Sequence, residues 1–156
     1  KCIELNGALL TATNFSLGVN IFLEINKKLA TLMNPNKQYV AMVKETHHTQ
    51  KVDSPSGTAL KFGAIVQDAM GQSQSAHGRE GRPGARPADE IGYHAVRAGD
   101  NPGEHTILFG LDGESLSVAV RATSRDCYAQ GALAAAAFLI DKPVGLYSMR
   151  DVLGIA

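Results

Sequence analysis

The thirteen residues from His47 to Ala59, His-His-Thr-Gln-Lys-Val-Asp-Ser-Pro-Ser-Gly-Thr-Ala, restrict what this chain can fold into more than any other stretch. They follow an apolar run, Tyr39 to Val43, and precede a helix-like pattern from Leu60 to Met70, so a strand must end and a helix begin within them. Pro55 cannot sit inside a helix, whereas Ser56 or Thr58 can cap one. The peptide N–H groups of Gly57, Thr58 and Ala59 are therefore expected to point outward at a helix start, which attracts anions. His47 and His48 titrate near neutrality and Lys51 stays charged, which supplies a proton donor and a fixed cation beside that start. The combination suits a small carboxylate-bearing substrate whose reacting atom gains a proton. On residue types alone, a His-His pair also fits a surface loop or a structural hydrogen-bonding pair.

The rest of the chain bounds this reading. With 156 residues and 44% apolar content it can bury one core of ordinary size. Fifteen basic residues balance fifteen acidic ones, which argues against a nucleic-acid surface, and no run of about 18 apolar residues predicts a membrane span. Cys2 and Cys127 are too few for a disulfide framework and lack metal-ligand spacing, so reduced thiols of a cytoplasmic protein are expected. The opening Lys1-Cys2-Ile3-Glu4 has no signal-peptide pattern and reads as the start of a fragment.

Along the chain, Gly7 to Thr13 reads as a short strand, and Asn14-Phe15-Ser16 as a turn and N-cap before an amphipathic helix. In that helix Val19, Phe22, Ile25, Leu29 and Leu32 form the apolar stripe, with Asn26, Lys27 and Lys28 opposite. Gln38 to Glu45 is a strand that delivers His47 and His48 at its end. The following helix, Thr58 to Met70, buries Phe62, Ile65, Val66 and Ala69 and stops at Gly71. Gly71 to Glu90 reads as one long loop, poorly ordered at its centre. Its Gly78, Gly81 and Gly84 do not make a phosphate loop, because no apolar strand precedes them and no helix follows. Strands follow at Ile91 to Arg97, Glu104 to Leu111 and Glu114 to Thr123, with turn sequences that predict antiparallel pairing of neighbours. A last helix, Cys127 to Ile140, capped by Ser124-Arg125-Asp126, is apolar nearly all round and needs cover on several sides. The predicted class is α+β: a four-stranded, mixed but mostly antiparallel sheet with helices on one face, plus a C-terminal helix and tail.

The motif His47-His48-x-x-Lys51-x-Asp53-x-Pro55-Ser56-Gly57-Thr58-Ala59 closely resembles the signature of dihydrodipicolinate reductase, a nicotinamide-dependent enzyme of diaminopimelate and lysine biosynthesis. The similarity extends from about Ala12 to Gly154, through Val96-Arg97-Ala98-Gly99-Asp100, Gly103-Glu104-His105-Thr106, Ser124-Arg125 and Gly131-Ala132. Arg79-Glu80-Gly81 and Arg86 resemble the family's variable loop, which approaches the strands beside the active site. The resemblance implies a substrate-binding and tetramerisation domain over residues 16–125. It also implies that segments 1–15 and 126–156 belong to a Rossmann-type dinucleotide-binding domain whose glycine-rich loop is not in the sequence.

By the same resemblance, the full-length enzyme would pass a hydride from NADH or NADPH to 4-hydroxy-tetrahydrodipicolinate, or its dehydrated form. His47 would be the general acid and Lys51 the cation against a substrate carboxylate. His48, Gly57 and Thr58 would hold the carboxylates, Phe15 would lie beside the nicotinamide, and Arg125 near the domain junction. Asp53 would brace the loop. The implied enzyme is a cytoplasmic homotetramer with a small dicarboxylate as partner, and this chain alone would be inactive. Two rivals stand beside it. One is a metal-dependent hydrolase using His47, His48, Asp53, His94 and His105, disfavoured because no His-x-x-x-His pair occurs and adjacent histidines seldom share an ion. The other is a non-catalytic dicarboxylate-binding or oligomerisation module.

Overall fold

The computed structural model describes residues 1–36 and 38–155; Ala156, the end of the segment assigned above to a second domain, lies outside the described residues. The chain separates into two compact units, one of residues 1–21 and 124–156 and the other of residues 22–123.

The larger unit is built on a five-stranded sheet rather than the four strands expected. Its strands are β2 (Val40–His47), β3 (Gln74–His77), β4 (Glu90–Arg97), β5 (Glu104–Leu111) and β6 (Glu114–Arg121), in the order β3-β4-β2-β5-β6. The class is α+β as expected, but β2 pairs with β4 in parallel, as does β3, and only β2–β5 and β5–β6 are antiparallel. The expected pairing of β4 with β5 does not occur, because β2 lies between them. The connection from Ala98 to Gly103 instead crosses the end of β2, where Ala98 N–H donates to the His47 carbonyl (2.9 Å), His48 N–H to Asn101 (2.8 Å) and Thr49 N–H to Gly99 (3.2 Å).

The fifth strand, β3, falls in the stretch expected to be one loop. Parallel strands need a crossover of a dozen or more residues, and residues 78–89 form it between β3 and β4. This segment is anchored rather than loose: Arg79 and Arg86 both pair with the buried Glu90 carboxylate, and Arg86 Nη2 donates to the Ala41 carbonyl at 2.9 Å. Gly78, Gly81 and Gly84 all take positive φ there, and no helix starts.

Alternation sorts the sheet. Ala41, Val43, Glu45 and His47 of β2 face the same side as Tyr93 of β4 and His105, Ile107 and Phe109 of β5, and all of these are buried. Helix α2 (Gly57–Met70) covers this face with Ala59, Phe62, Val66 and Met70, while Ile65 and Ala69 are only half-buried. The expected stripe of Leu116, Val118 and Val120 lies on the same face, but on an edge strand that leaves Leu116 exposed.

Helix α1 (Leu17–Met33) buries Val19, Phe22, Leu23, Asn26 and Ala30. The expected stripe was rotated: Ile25 and Leu32 are exposed, and Asn26 is fully buried. A polar residue sits in that stripe because Asn26 Nδ2 donates to the Phe62 carbonyl of α2 at 2.9 Å, while Phe22 packs on the Phe62 ring (4.6 Å between centroids).

In the smaller unit, β1 (Ala8–Leu10) pairs in parallel with β7 (Gly145–Tyr147), α3 (Asp126–Leu139) follows a turn, and α4 (Met149–Val152) closes the tail. The Ser124 hydroxyl accepts from Asp126 N–H (3.0 Å) at the start of α3. Gly131 and Ala135 are the buried residues of α3, while Leu133 and Ile140 are exposed, so its apolar circumference is covered on one side within this unit.

A Cβ at Gly131 would stand 1.8 Å from the Phe15 carbonyl oxygen. Gly131→Ala gains about 1 kcal/mol of helix propensity but forces backbone against backbone, an overpacking that costs about 1 to 3 kcal/mol or more. Denaturant unfolding should therefore show net destabilisation of order 1 kcal/mol; a stabilised variant would mean that Phe15 does not rest on α3.

Candidate active site

The site forms where β2 runs out. Glu45 and His47 are two residues apart on a strand, hence on the same face, and their side chains meet: His47 Nδ1 and Glu45 Oε2 are in a short hydrogen bond. The other carboxylate oxygen, Oε1, accepts from Arg97 Nη2 at 2.8 Å and from Ser56 N–H at 3.2 Å. Arg97 stands beside His47 because the parallel register pairs the two residues, and it also donates to the Asp53 carbonyl at 2.6 Å. Opposite Glu45 on β5 is His105, whose ring meets the His47 ring edge-on at 5.2 Å and lies 5.7 Å from Phe62. Nδ1 of His105 is buried and has no hydrogen-bond partner among the described residues.

These contacts set the protonation states. Burial pushes the Glu45 carboxyl up, but the hydrogen bonds from Arg97 and His47 outweigh it and hold the group below the usual carboxylate range. Burial pushes the His47 imidazole below its ordinary value; Glu45 opposes this shift, and the charges of Lys51 and Arg97 add to it. His105 is pushed down to about 4, by burial first and then by the charge of His47.

From His47 the chain turns through Lys51 and Asp53 to a cis Ser54–Pro55 peptide and into α2. Ser56 is the N-cap, and its hydroxyl accepts from Ala59 N–H at 3.2 Å. That corrects one expectation: the Ala59 N–H is satisfied by the cap and does not point outward. A Cβ at Gly57 would meet no atom within 4 Å, so the space beside this peptide is open. Lys51 Nζ donates to Asp53 Oδ1 at 2.6 Å. This bond is the first cause of a lowered Asp53 pKa, and the Gly57 peptide also donates toward the same carboxyl.

Of the residues singled out in the sequence, His47, Lys51, Gly57 and Thr58 therefore lie in one strand–turn–helix segment. His48 is half-buried there, with its peptide bonded to the loop that crosses β2. Phe15 and Arg125 belong to the other unit. In the sequence Glu45 reads as the end of an apolar strand, and its two-residue spacing from His47 is the signal that points to the site. Arg97 figures in the sequence only as part of a longer similar stretch, and His105 as part of another and as a candidate ligand in the metal-dependent alternative; their places beside Glu45 depend on strand pairing that the sequence does not state. Among the described residues, no three His, Cys, Asp or Glu side chains are disposed to hold a metal ion. A dinucleotide pyrophosphate finds no cradle among them either: β1 passes into α1 through residues 11–16, which include no glycine, and the turn from β2 to α2 has none before Gly57. No helix of the described residues is long and apolar enough to cross a membrane.

This α+β sheet domain thus brings a buried Glu–His pair, a lysine and a helix start together in one strand–turn–helix segment. The chain belongs to the dihydrodipicolinate reductase family: the model of that family's C-terminal part matches residues 18–153. It is similar to the 4-hydroxy-tetrahydrodipicolinate reductase of Rhodopirellula baltica, with 52% identity over 149 residues that cover 93% of this chain and 53% of the relative. The reductase of the same name from Methanopyrus kandleri is 46% identical over 140 residues, covering 90% and 50%. The chain thus spans about half the length of the curated relatives it matches. Among solved structures, a dipicolinate-bound dihydrodipicolinate reductase from Paenisporosarcina shares the fold, with a TM-score of 0.64 at 24% identity over 89% of this chain and 52% of that one.

The depressed His105 makes stability pH-dependent with a definite sign. Its folded pKa, about 4, lies below the unfolded value near 6.5, so the unfolded chain binds the proton more readily between these two pH values. Stability should be complete above pH ~6.5 and fall by up to about 3 kcal/mol as pH drops to ~4. Unfolding midpoints across this window, with the His105 ring followed by NMR, check it. A His105 ring already protonated at pH 6 would contradict the buried geometry.

Proposed function

We propose that this chain supplies the substrate-binding half of a 4-hydroxy-tetrahydrodipicolinate reductase, acting in diaminopimelate and lysine biosynthesis. The observation that carries the reading is that Lys51 and the first peptide of α2 already converge on a carboxylate, that of Asp53, next to the histidine at the end of β2. A substrate carboxylate would take over these donors, with His48, Gly57 and Thr58 completing its cradle. Reduction adds a hydride and a proton to the substrate, and the hydrated form also loses water. The hydride would come from NADH or NADPH, held chiefly by residues other than those described, with Phe15 beside the nicotinamide and Arg125 near the junction. His47 would give the proton, and Lys51 would bind and orient.

The domain assignment belongs to the same reading: residues 16–125 bind substrate and assemble the enzyme, and segments 1–15 and 126–156 go with the dinucleotide-binding part. The exposed Leu133 and Ile140 of α3 support such a neighbour. Assembly is read as a homotetramer through the face of the sheet that α2 leaves open, where Val96 is exposed. A cytoplasmic location suits the two free thiols.

Calorimetry on the chain should detect pyridine-2,6-dicarboxylate and hardly any nicotinamide dinucleotide. Lys51→Ala should weaken the dicarboxylate by about 1.5 to 3 kcal/mol, roughly 10- to 150-fold, the worth of one charge-assisted contact. Tight dinucleotide binding, or an unchanged Lys51→Ala, would remove the support for this assignment.

In the whole reductase, His47→Gln should lower kcat by roughly 100- to 10,000-fold with less change in KM. His48→Gln should raise KM more than it lowers kcat, because a holding contact acts equally on ground and transition states. Near-normal turnover in His47→Gln would assign the proton to Lys51 or to water.

A further inference from the structure

The Glu45 carboxylate is buried on the central strand of the sheet, yet all three of its hydrogen bonds among the described residues go to parts of the site. Two of the donors, Arg97 Nη2 and Ser56 N–H, can only donate, and both lie on Oε1. They keep the carboxylate ionised, and an ionised carboxylate can only accept. The ring nitrogen against Oε2 must therefore carry a hydrogen, which fixes His47 with Nδ1–H toward Glu45 and leaves Nε2, on the far side of the ring, as the nitrogen available to a ligand.

We propose that Glu45 is the positioning residue of the proton-transfer step: it grips His47 through Nδ1 so that Nε2 carries the transferable proton, and it ties this ring to the helix start that receives the substrate. The inference rests on the reading of His47 as proton donor. Its physical content is a balance of charges around one ring. His47 is buried, and Lys51 from the turn and Arg97 from β4 both oppose a positive charge on it. His105 from β5 presents a neutral edge and is itself packed on Phe62 of α2, and the Asp53 carboxylate is engaged by Lys51. Glu45 is thus the anion that makes an imidazolium accessible in a place that otherwise expels it. Arg97 plays both sides, because it keeps Glu45 ionised while repelling the charged ring. A dicarboxylate that takes the place of Asp53 at Lys51 would leave two further carboxylates, its own second one and the released Asp53, near the ring, so ligand binding and protonation of Nε2 should reinforce each other.

The test reads the ring directly. In NMR titrations of the chain, the wild-type His47 ring should show the Nδ1–H tautomer when neutral. Its midpoint should fall by one pH unit or more in Glu45→Gln, where the amide keeps the shape and loses the charge. Glu45→Asp, which keeps the charge but draws the carboxylate back from the ring, should lower the midpoint by a smaller amount, and it provides the comparison if Glu45→Gln does not fold. In the whole reductase, the alkaline limb of kcat should move with the midpoint, so that turnover above it drops about tenfold per unit of displacement while KM for the dicarboxylate changes far less. An unmoved midpoint in both variants, or the Nε2–H tautomer in the wild type, overturns the proposal and leaves the reductase reading intact. A midpoint that moves while the alkaline limb stays fixed upholds the grip of Glu45 on the ring and refutes His47 as the donor.

Discussion

A carboxylate removed from water must be compensated by donors from its surroundings, and several kcal/mol are lost when it is not. Glu45 meets this requirement with a donor from its own strand, one from the parallel neighbour β4 and one from the N-cap of α2. Each bond constrains a different level of the structure. The bond to His47 orients a ring, the bond to Arg97 depends on the β2–β4 register, and the bond to Ser56 holds the helix start against the strand end. The turn from residue 48 to 55 is in this way closed at both ends by one side chain, and Lys51 and Asp53 are presented from it.

The local elements were legible because their signals are local. Pro-Ser-Gly-Thr announced a capped helix, and the structure places its start at Gly57 with Ser56 as cap. The strand expected over Gln38 to Glu45 from its β-branched and aromatic content is β2, which runs two residues further, to His47. What could not be read was partnership. The β4–β5 connection contains turn residues and looks like a hairpin, yet it spans the width of one intervening strand, and only the long crossover of residues 78–89 hints that β4 returns in parallel. The rotated face of α1 has a similar origin. Ile25 and Leu32 satisfy the helical period as well as Leu23 and Ala30 do, and the choice is made by a carbonyl on α2 that offers Asn26 a hydrogen bond.

The candidate site divides along the same line. His47, His48, Lys51, Gly57 and Thr58 lie within twelve consecutive positions, and residue chemistry sufficed to single them out. Arg97 and His105 reach the site through pairing at sequence separations of 52 and 60 residues from Glu45, where no single-chain periodicity carries information. Glu45 itself was concealed by its neighbours, since an acidic residue at the end of an apolar strand ordinarily marks the point where the chain meets water. Here it marks the point where the core turns polar in order to hold a histidine.

Whether the turn between β2 and α2 receives a dicarboxylate can be read by mapping amide chemical shifts of the chain during titration with pyridine-2,6-dicarboxylate. The largest changes should fall on Lys51, Asp53, Gly57 and Thr58, as the ligand displaces Asp53 from Lys51 and the helix start, with smaller changes carried to residues 97–101 through their bonds to this segment. Saturable changes centred elsewhere, for example on the Arg79–Arg86 crossover, or no change at saturating ligand, would contradict it.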